Sequence, residues 1–498
     1  MDASTEAVPT DALWCEERLF VDGALVAAAS GATYENVNPA TEAVIGVAAD
    51  AGPADMDAAI GAARRAFDDT DWSTDVAFRT RCLRQLHDAF IGHADELRAT
   101  TVAEVGCPVA LTHGAQLDAP VEGLGWIADL LERYEWETDL GIASPFGMTT
   151  HRTIRREATG VVGAITPWNF PHQINLAKVG PALAAGNTVV LKAAPLTPWT
   201  ATLLGRMIAD ETDIPAGVVN VITSSANDVG EQLTLDPRVD LVSFTGSTAT
   251  GRKVMANGAA TIKRMFLELG GKSAFIALDD ADMGAVAMGV AFQIMAHAGQ
   301  GCAITTRLLL PRARHDEGVD AVVSMLGSIG YGDPTDPANF MGPLVSEAQR
   351  RRVLGYIETA RSEGARVVTG GGIPAHLPTG FFVEPTVMVG VTSDATVAQE
   401  EIFGPVLSVI AYDGDDEAVA IANNSTFGLS GAVVSDDIER ARAVARRVRT
   451  GTIGVNGGLF YSPDVPFGGY KQSGIGREMG VLGFEEYLET KVLAEGVA

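Results

Sequence analysis

The feature that most constrains the fold is a series of short, unbroken apolar runs: VVGAITPW from residue 161, then NTVVLKAA, GVVNVITS and VDLVSFTG. Helical patterns separate them, LAKVGPALAAG stopped by its glycine and a second helix over 199–212, and a further helix starts near Ser247. A strand that is apolar on both faces must be covered on both, which is the signature of a parallel sheet between layers of helices. The same alternation resumes near 268, with SAFIALDDAD, a helix running into the glycine turn of GVAFQIMAHAGQGC, and strands in TTRLLLP, FFVEPTVMVG and GPVLSVIAYD. Residues 315–363 read as mostly helical, as do DEAVAIANNS and DIERARAVARRVRTG. The predicted class is therefore α/β.

Upstream, residues 1–50 read as a frayed start followed by short strands with Asp-Gly and Asn-Pro turns. Residues 53–137 carry apolar side chains at helical spacing, and TTHRTIRREATG turns strand-like. Two segments, 138–156 and 485–498, lack a core pattern of their own and are expected to be edge strands that pair between subunits. A length of 498 residues calls for more than one core. The expected division is a cofactor-binding domain over 1–137 and 157–267, a catalytic domain over 268–484, and an oligomerisation arm over 138–156 and 485–498.

Charge and composition narrow the partners. The net charge of -27, from 63 acids against 36 bases, repels nucleic acid and anionic membranes. No segment resembles a membrane span or a signal peptide, so a cytoplasmic protein is expected. The cysteines, Cys15, Cys82, Cys107 and Cys302, match no disulfide or metal framework in their spacing, and no metal is expected.

Several residues sit in contexts that suggest chemistry. Cys302 lies in AGQGCAITT, flanked by small residues; a free cysteine is more often packing, but a glycine turn beside a helix N-terminus would lower its pKa and hold an oxyanion. Cys107, before a proline at an expected helix end, is a weaker rival. Glu268, in FLELGGKS, reads as a surface turn or as a general base with room to swing beside Gly270 and Gly271. Asn169, in TPWNFP at a strand end, reads as a helix cap or an oxyanion donor. In FTGSTATG, Gly246 and Ser247 are placed to bring backbone N–H groups to a pyrophosphate. Lys192 ends an apolar strand, where it either snorkels or meets a ribose or phosphate.

Taken together and in order, TPWNFP, VVLK, FTGS, ELGGK, GQGC, EEIFGPV and PFGGYKQSGIGRE resemble the aldehyde dehydrogenase superfamily, from about residue 18 to 495. The resemblance implies a nucleotide-binding α/β domain, an α/β catalytic domain and a β-strand oligomerisation arm, in a homodimer or homotetramer. It implies Cys302 as nucleophile, Glu268 as general base, and Asn169 with the Cys302 N–H as oxyanion hole. It assigns Thr166, Trp168, Lys192, Thr245, Gly246, Ser247 and Leu269 to the cofactor, with Glu401 at the nicotinamide ribose and Phe403 near the nicotinamide. The implied reaction oxidises an aldehyde to a carboxylic acid through a thioester hydrolysed by water.

One position departs. Where the family carries an acid that accepts from the adenosine ribose, KAAPLTP places Pro195. NAD is still expected to be favoured, with NADP possible. Positions that often hold bulky aromatics are Ala177, Ala296 and Gly458, while His172, Gln173, Ile174, Ile304 and Tyr461 are expected near the substrate. A bulky or long aldehyde therefore fits, and the lack of Lys or Arg there argues against carboxylate-bearing ones. The rival readings are a CoA-acylating dehydrogenase, which would not depend on Glu268 in the same way, and a non-catalytic structural homologue, which predicts loss of Cys302 or Glu268.

Overall fold

A computed structural model describes residues 13–497. The reading of the first residues as a frayed start, and the last residue of the C-terminal segment, lie outside that range. The apolar runs form the centre of an eight-stranded sheet. Its parallel part runs Arg264–Glu268, Leu241–Thr245, Val161–Ile165, Thr188–Lys192, Val219–Ile222. Registers of Thr245 with Glu268 and of Ile165 with Lys192 bring the carboxyl ends of these strands to one edge. Strand order reverses beside Val161–Ile165, since its sequence successor Thr188–Lys192 lies on one side and Leu241–Thr245 on the other. Such a switch point leaves a crevice at the carboxyl edge. The hairpin Leu19–Val21 and Ala24–Val26 closes one side through Asp22 and Gly23, both at positive φ, as a two-residue hairpin turn requires.

A second, seven-stranded sheet is built from Arg366–Thr369, Thr386–Val389, Val406–Tyr412, Thr305–Pro311, Ser273–Ala277, Gly431–Val434 and Gly454–Val455, in that order. All its pairs are parallel except the first. The two sheets have separate apolar cores. One strand crosses the expected boundary: Gly474–Ile475, within the stretch 268–484, pairs antiparallel with Leu267 and Glu268 of the first sheet. It is too short to show in an apolar pattern, and it locks the strand that ends at Glu268.

The segments without a core pattern do form strands. Glu137–Ala143, Thr150–Ala158 and Leu488–Gly496 make one antiparallel sheet, paired within the chain from Leu488 opposite Ala158 to Gly496 opposite Thr150. Leu140, Ile142, Val492 and Leu493 are exposed on it, which explains why neither segment shows an alternation with a buried face.

Candidate active site

The crevice at the carboxyl edge is polar and incompletely satisfied. Thr166 and Thr245 follow or end neighbouring strands, and both hydroxyls are buried without a hydrogen-bond partner. Orphaned buried hydroxyls cost free energy unless a ligand or water completes them, so this edge fits a bound nucleotide. Ser247 caps the helix Thr248–Gly258, its hydroxyl accepting from the Thr250 N–H at 3.2 Å, and other first-turn N–H groups remain for an anion. Gly246 does not serve as expected: its N–H is spent on the Glu268 carbonyl at 3.0 Å. It supplies room instead, since a Cβ there would lie 2.6 Å from the Phe244 ring.

Lys192 is buried at the end of its strand and donates to the Ser224 carbonyl at 3.3 Å. Burial pulls its ammonium down to about 8. Pro195 lies in the turn that follows. On the other wall Glu401 accepts from the Gly271 N–H at 2.9 Å, and burial pushes its carboxyl up to about 7. Phe403 sits at φ +62, a conformation that costs a bulky residue about 1–3 kcal/mol. Gln349 holds it by donating to its carbonyl at 2.7 Å, and its ring meets Trp168 edge-on at 5.4 Å. Leu269 is buried, its N–H donating to the Ser473 carbonyl at 2.8 Å, with its side chain facing Gly251.

Cys302 is positioned by backbone strain rather than by a helix. After the helix Met283–Met295, His297, Ala298 and Gly299 take φ of 49°, 52° and 70°. Each of the two non-glycine residues costs about 1–2 kcal/mol in that region. Gln300 pins the turn: its Nε2 donates to the His297 carbonyl at 3.1 Å, and its Oε1 accepts from the Val345 N–H at 2.9 Å. Asn169 Nδ2 donates to the Gln300 carbonyl at 2.9 Å, which uses one of the two N–H donors of its amide. The Cys302 carbonyl packs on Gly271, where a Cβ would come within 2.3 Å.

Cys302 departs from its expected setting in two ways. No helix begins at Cys302; the next element is the strand Thr305–Pro311. Its thiol is not lowered but pushed well above the ordinary value, by burial first and then by the charges of Glu268, Glu401 and Glu478. A thiol in that setting stays protonated until a base takes its proton. Cys107, the rival, is fully buried in the core and also raised by burial.

Glu268 ends the strand Arg264–Glu268, buried, with neither carboxylate oxygen hydrogen-bonded. Burial raises its pKa well above the usual range, and the Glu478 charge adds to that. Its space does not come from Gly270 and Gly271, which make way for Glu401 and for Cys302. It comes from Gly468, where a Cβ would lie 2.7 Å from Glu268 Oε1. Sequence reasoning missed the groups behind it. Lys178 Nζ donates to Glu478 at 2.7 Å and to Ser243 at 3.0 Å, and the Tyr487 hydroxyl donates to Ser243 at 3.1 Å. The available signal was a lysine inside the apolar helix Pro171–Ala185, since lysine is rarely buried unpaired.

That same helix carries Gln173, Leu176, Ala177 and Pro181 along a cavity of about 200 Å³, lined also by Trp126, Tyr461 and Phe484. No Lys or Arg lines it; its one acid is the exposed Glu122. Burial first, and then the charges of Glu478, Cys302 and Glu268, raise the pKa of the Tyr461 hydroxyl, so this lining residue lies within electrostatic reach of the thiol, although Cys302 itself does not line the cavity. Of the residues expected near the substrate, Ala177, Gln173 and Tyr461 line this cavity, and His172, Ile174, Ala296, Ile304 and Gly458 are not in its lining. His172 is a core residue, with Nε2 3.0 Å from the Thr101 hydroxyl and its pKa lowered to about 4 by burial. Gly458 is exposed. Among the described residues no cluster of His, Cys, Asp and Glu is arranged to hold a metal.

Residues 25–493 match the model of the aldehyde dehydrogenase family. A 3-succinoylsemialdehyde-pyridine dehydrogenase of a Pseudomonas species is 42% identical over 479 residues, covering 95% of this chain and 97% of that protein. Among solved structures, an aldehyde dehydrogenase of Mycobacterium tuberculosis complexed with NAD+ superposes with a TM-score of 0.93 at 39% identity, covering 98% of this chain and 100% of the other. A mutant of aldehyde dehydrogenase C from Pseudomonas syringae, complexed with NAD+ and octanal, gives 0.91 at 39% identity, covering 97% and 98%.

Proposed function

We propose a reaction course for a chain that belongs to the aldehyde dehydrogenase family and is an NAD(P)-dependent oxidoreductase. The single observation that carries it is the convergence of Asn169, Cys302 and Glu268 on one turn, with Asn169 bound two residues before the thiol and Glu268 acting on it electrostatically. The Cys302 sulfur adds to the aldehyde carbon, and its proton passes to Glu268 or to water beside it. The second Asn169 N–H and the Cys302 N–H hold the oxyanion of the thiohemiacetal. NAD(P), when bound, supplies the hydride acceptor. Collapse of the oxyanion leaves a thioester on Cys302. Glu268, raised by burial, gives up any proton taken from the thiol to solvent, then takes one from water as the water oxygen attacks the thioester carbon; that proton passes to the departing sulfur, so the acid leaves with the thiol restored. The Lys178–Glu478 pair lies behind Glu268, so a proton on Glu268 and the charge on Glu478 are linked. The cofactor would be held by Thr166, Trp168, Lys192, Thr245, Ser247 and Leu269, with Glu401 and Phe403 toward the nicotinamide; NAD is the preferred form.

The substrate is a long or bulky apolar aldehyde. We take the cavity at Tyr461 as the aldehyde's approach to Cys302; it is lined mainly by apolar side chains and offers no cation to a carboxylate. The octanal complex of the Pseudomonas syringae relative supports a chain aldehyde. Burying a methylene is worth about 0.8 kcal/mol, so kcat/KM should rise about fourfold per added CH2 from propanal until the cavity is filled. An aldehyde panel with NAD+ and NADP+, with the product identified as free acid or acyl-CoA, tests the whole reading. A flat chain-length profile or a preference for succinic semialdehyde refutes the substrate class, and obligatory acyl-CoA formation refutes hydrolysis.

The first sheet with its helices serves as the cofactor domain, the second as the catalytic domain, and the three-stranded sheet as an arm. Its exposed Leu140, Ile142, Val492 and Leu493 support assembly into a homodimer or homotetramer. The cytoplasm suits a chain with four unpaired cysteines and a thiol nucleophile, and no helix among the described residues is long and apolar enough to cross a membrane.

A further inference from the structure

We propose that Asp50 supplies the negative charge that selects against the 2′-phosphate of NADP, in place of an acid on the loop that holds Pro195. This rests on the reading of Lys192 and the adjoining turns as the adenosine-ribose end of the cofactor site. The strands Thr188–Lys192 and Val219–Ile222 are parallel neighbours ending at the same edge, with Lys192 opposite Ile222. Beyond Ile222 the chain turns through Thr223, Ser224 and Ser225. Asp50 reaches this turn from a different part of the sequence, just before the helix Pro53–Asp69.

Three hydrogen bonds fix the Asp50 carboxylate. It accepts from the Ser225 N–H at 2.8 Å, from the Ser225 hydroxyl at 2.7 Å and from the Ser224 hydroxyl at 3.3 Å. The carbonyl of the same Ser224 receives Lys192 Nζ at 3.3 Å. One residue therefore carries the cation on one side and the anion on the other, and the two influence each other. Ser225 is exposed and Asp50 is half-buried, so the charge stands at the mouth of the crevice.

The other acids near this end are less suited. Glu104 is fully buried and spent on the Trp199 and Thr200 N–H groups and on Asn36. Asp228 is exposed in the first turn of its helix, where it accepts from the Val229 N–H at 3.0 Å. A phosphate brings about 1.5–2 negative charges at neutral pH, whereas a ribose hydroxyl brings none. A carboxylate held by three donors does not swing away, so it opposes the phosphate and leaves the hydroxyl unaffected. No arginine is hydrogen-bonded to this turn to offset it.

The test is direct binding of NAD+ and NADP+ to the cofactor-free protein by calorimetry, with no turnover. The wild type should bind NAD+ more tightly. Asp50→Asn keeps an acceptor for Ser225 and removes the charge. It should lower the ratio of the NADP+ to the NAD+ dissociation constant about tenfold, with NAD+ itself changed less than threefold. Asp228→Asn should leave the ratio in place. A second measurement needs no variant: raising salt from about 0.05 to 0.5 M shortens the screening length severalfold and should lower the same ratio in the wild type. A folded D50N protein with an unchanged ratio, or with both constants raised together, overturns the assignment and reduces Asp50 to a structural role. A salt-independent ratio also overturns it. Tighter wild-type binding of NADP+ overturns the preference for NAD itself.

Discussion

Gly271→Ala tests how finely the nucleophile is placed. The Cβ added at Gly271 would lie 2.3 Å from the Cys302 carbonyl oxygen, with Leu429 Cβ at 3.3 Å. That is about 1 Å short of ordinary non-bonded contact. The obstacle is backbone, so no side-chain rotation relieves it, and the Cys302 turn must shift by roughly that amount. A misplacement of about 1 Å at a reacting group costs on the order of 10²-fold in rate, which is about 2.7 kcal/mol of transition-state stabilisation. Folding should lose about 1–3 kcal/mol from overpacking. Steady-state kcat/KM on a saturating NAD+ background reads the first quantity and a denaturant titration the second. Gly270→Ala is the control. Its Cβ would meet Glu401 Oε2 at 2.5 Å, the far end of a side chain that can shift by giving up its bond to the Gly271 N–H. G270A should therefore raise the KM for NAD+ while keeping most of kcat. A G271A enzyme within threefold of wild type, or a G270A enzyme more damaged in kcat than G271A, would refute the reasoning.

Other consequences are equally specific. Lys178→Met leaves Glu478 buried without its ion-pair partner, and breaking such a pair costs about 3–5 kcal/mol; urea midpoints should fall, and adding Glu478→Gln should restore part of the loss. Lys192 holds its proton in the unfolded chain up to 10.5 but releases it near 8 when folded, so the unfolded state binds more protons between those values. Its contribution to folding stability therefore rises with pH across that window, while NAD+ affinity should fall from pH 7 to 9 as the ammonium is lost; K192M should show neither slope. Cys302→Ala should abolish aldehyde oxidation and retain NAD+ binding, and substantial turnover by the folded variant would remove Cys302 from the mechanism.

The parts of the fold legible in the sequence are those set by local pattern. Runs such as NTVVLK and VDLVSF are apolar on both faces because helices cover both sides of a parallel strand, and they appear where that pattern places them. Gly474–Ile475 was illegible because a two-residue strand has no periodicity. In the site, Cys302, Asn169 and Glu268 each sit in a distinctive local context, and the structure gathers them. What local context does not encode is charge brought from elsewhere. Burial is the main reason the Cys302 thiol is raised, and the charges that add to it, Glu268, Glu401 and Glu478, all come from other parts of the chain. The Lys178–Glu478 contact spans 300 residues. Likewise, glycines at 270 and 271 were read as room for Glu268, their sequence neighbour, whereas the space serves Glu401 and Cys302 from across the cleft.

The central claim is that an acyl group passes through Cys302 and is released by water activated at Glu268. Single-turnover mass spectrometry of Glu268→Gln, mixed with NAD+ and a medium-chain aldehyde, measures it most directly. The account predicts an adduct of the aldehyde mass less two hydrogens on the peptide containing Cys302, formed with one equivalent of NADH and decaying slowly. NADH formation at the wild-type steady-state rate with no adduct on Cys302, or an adduct on Cys107 instead, would contradict it.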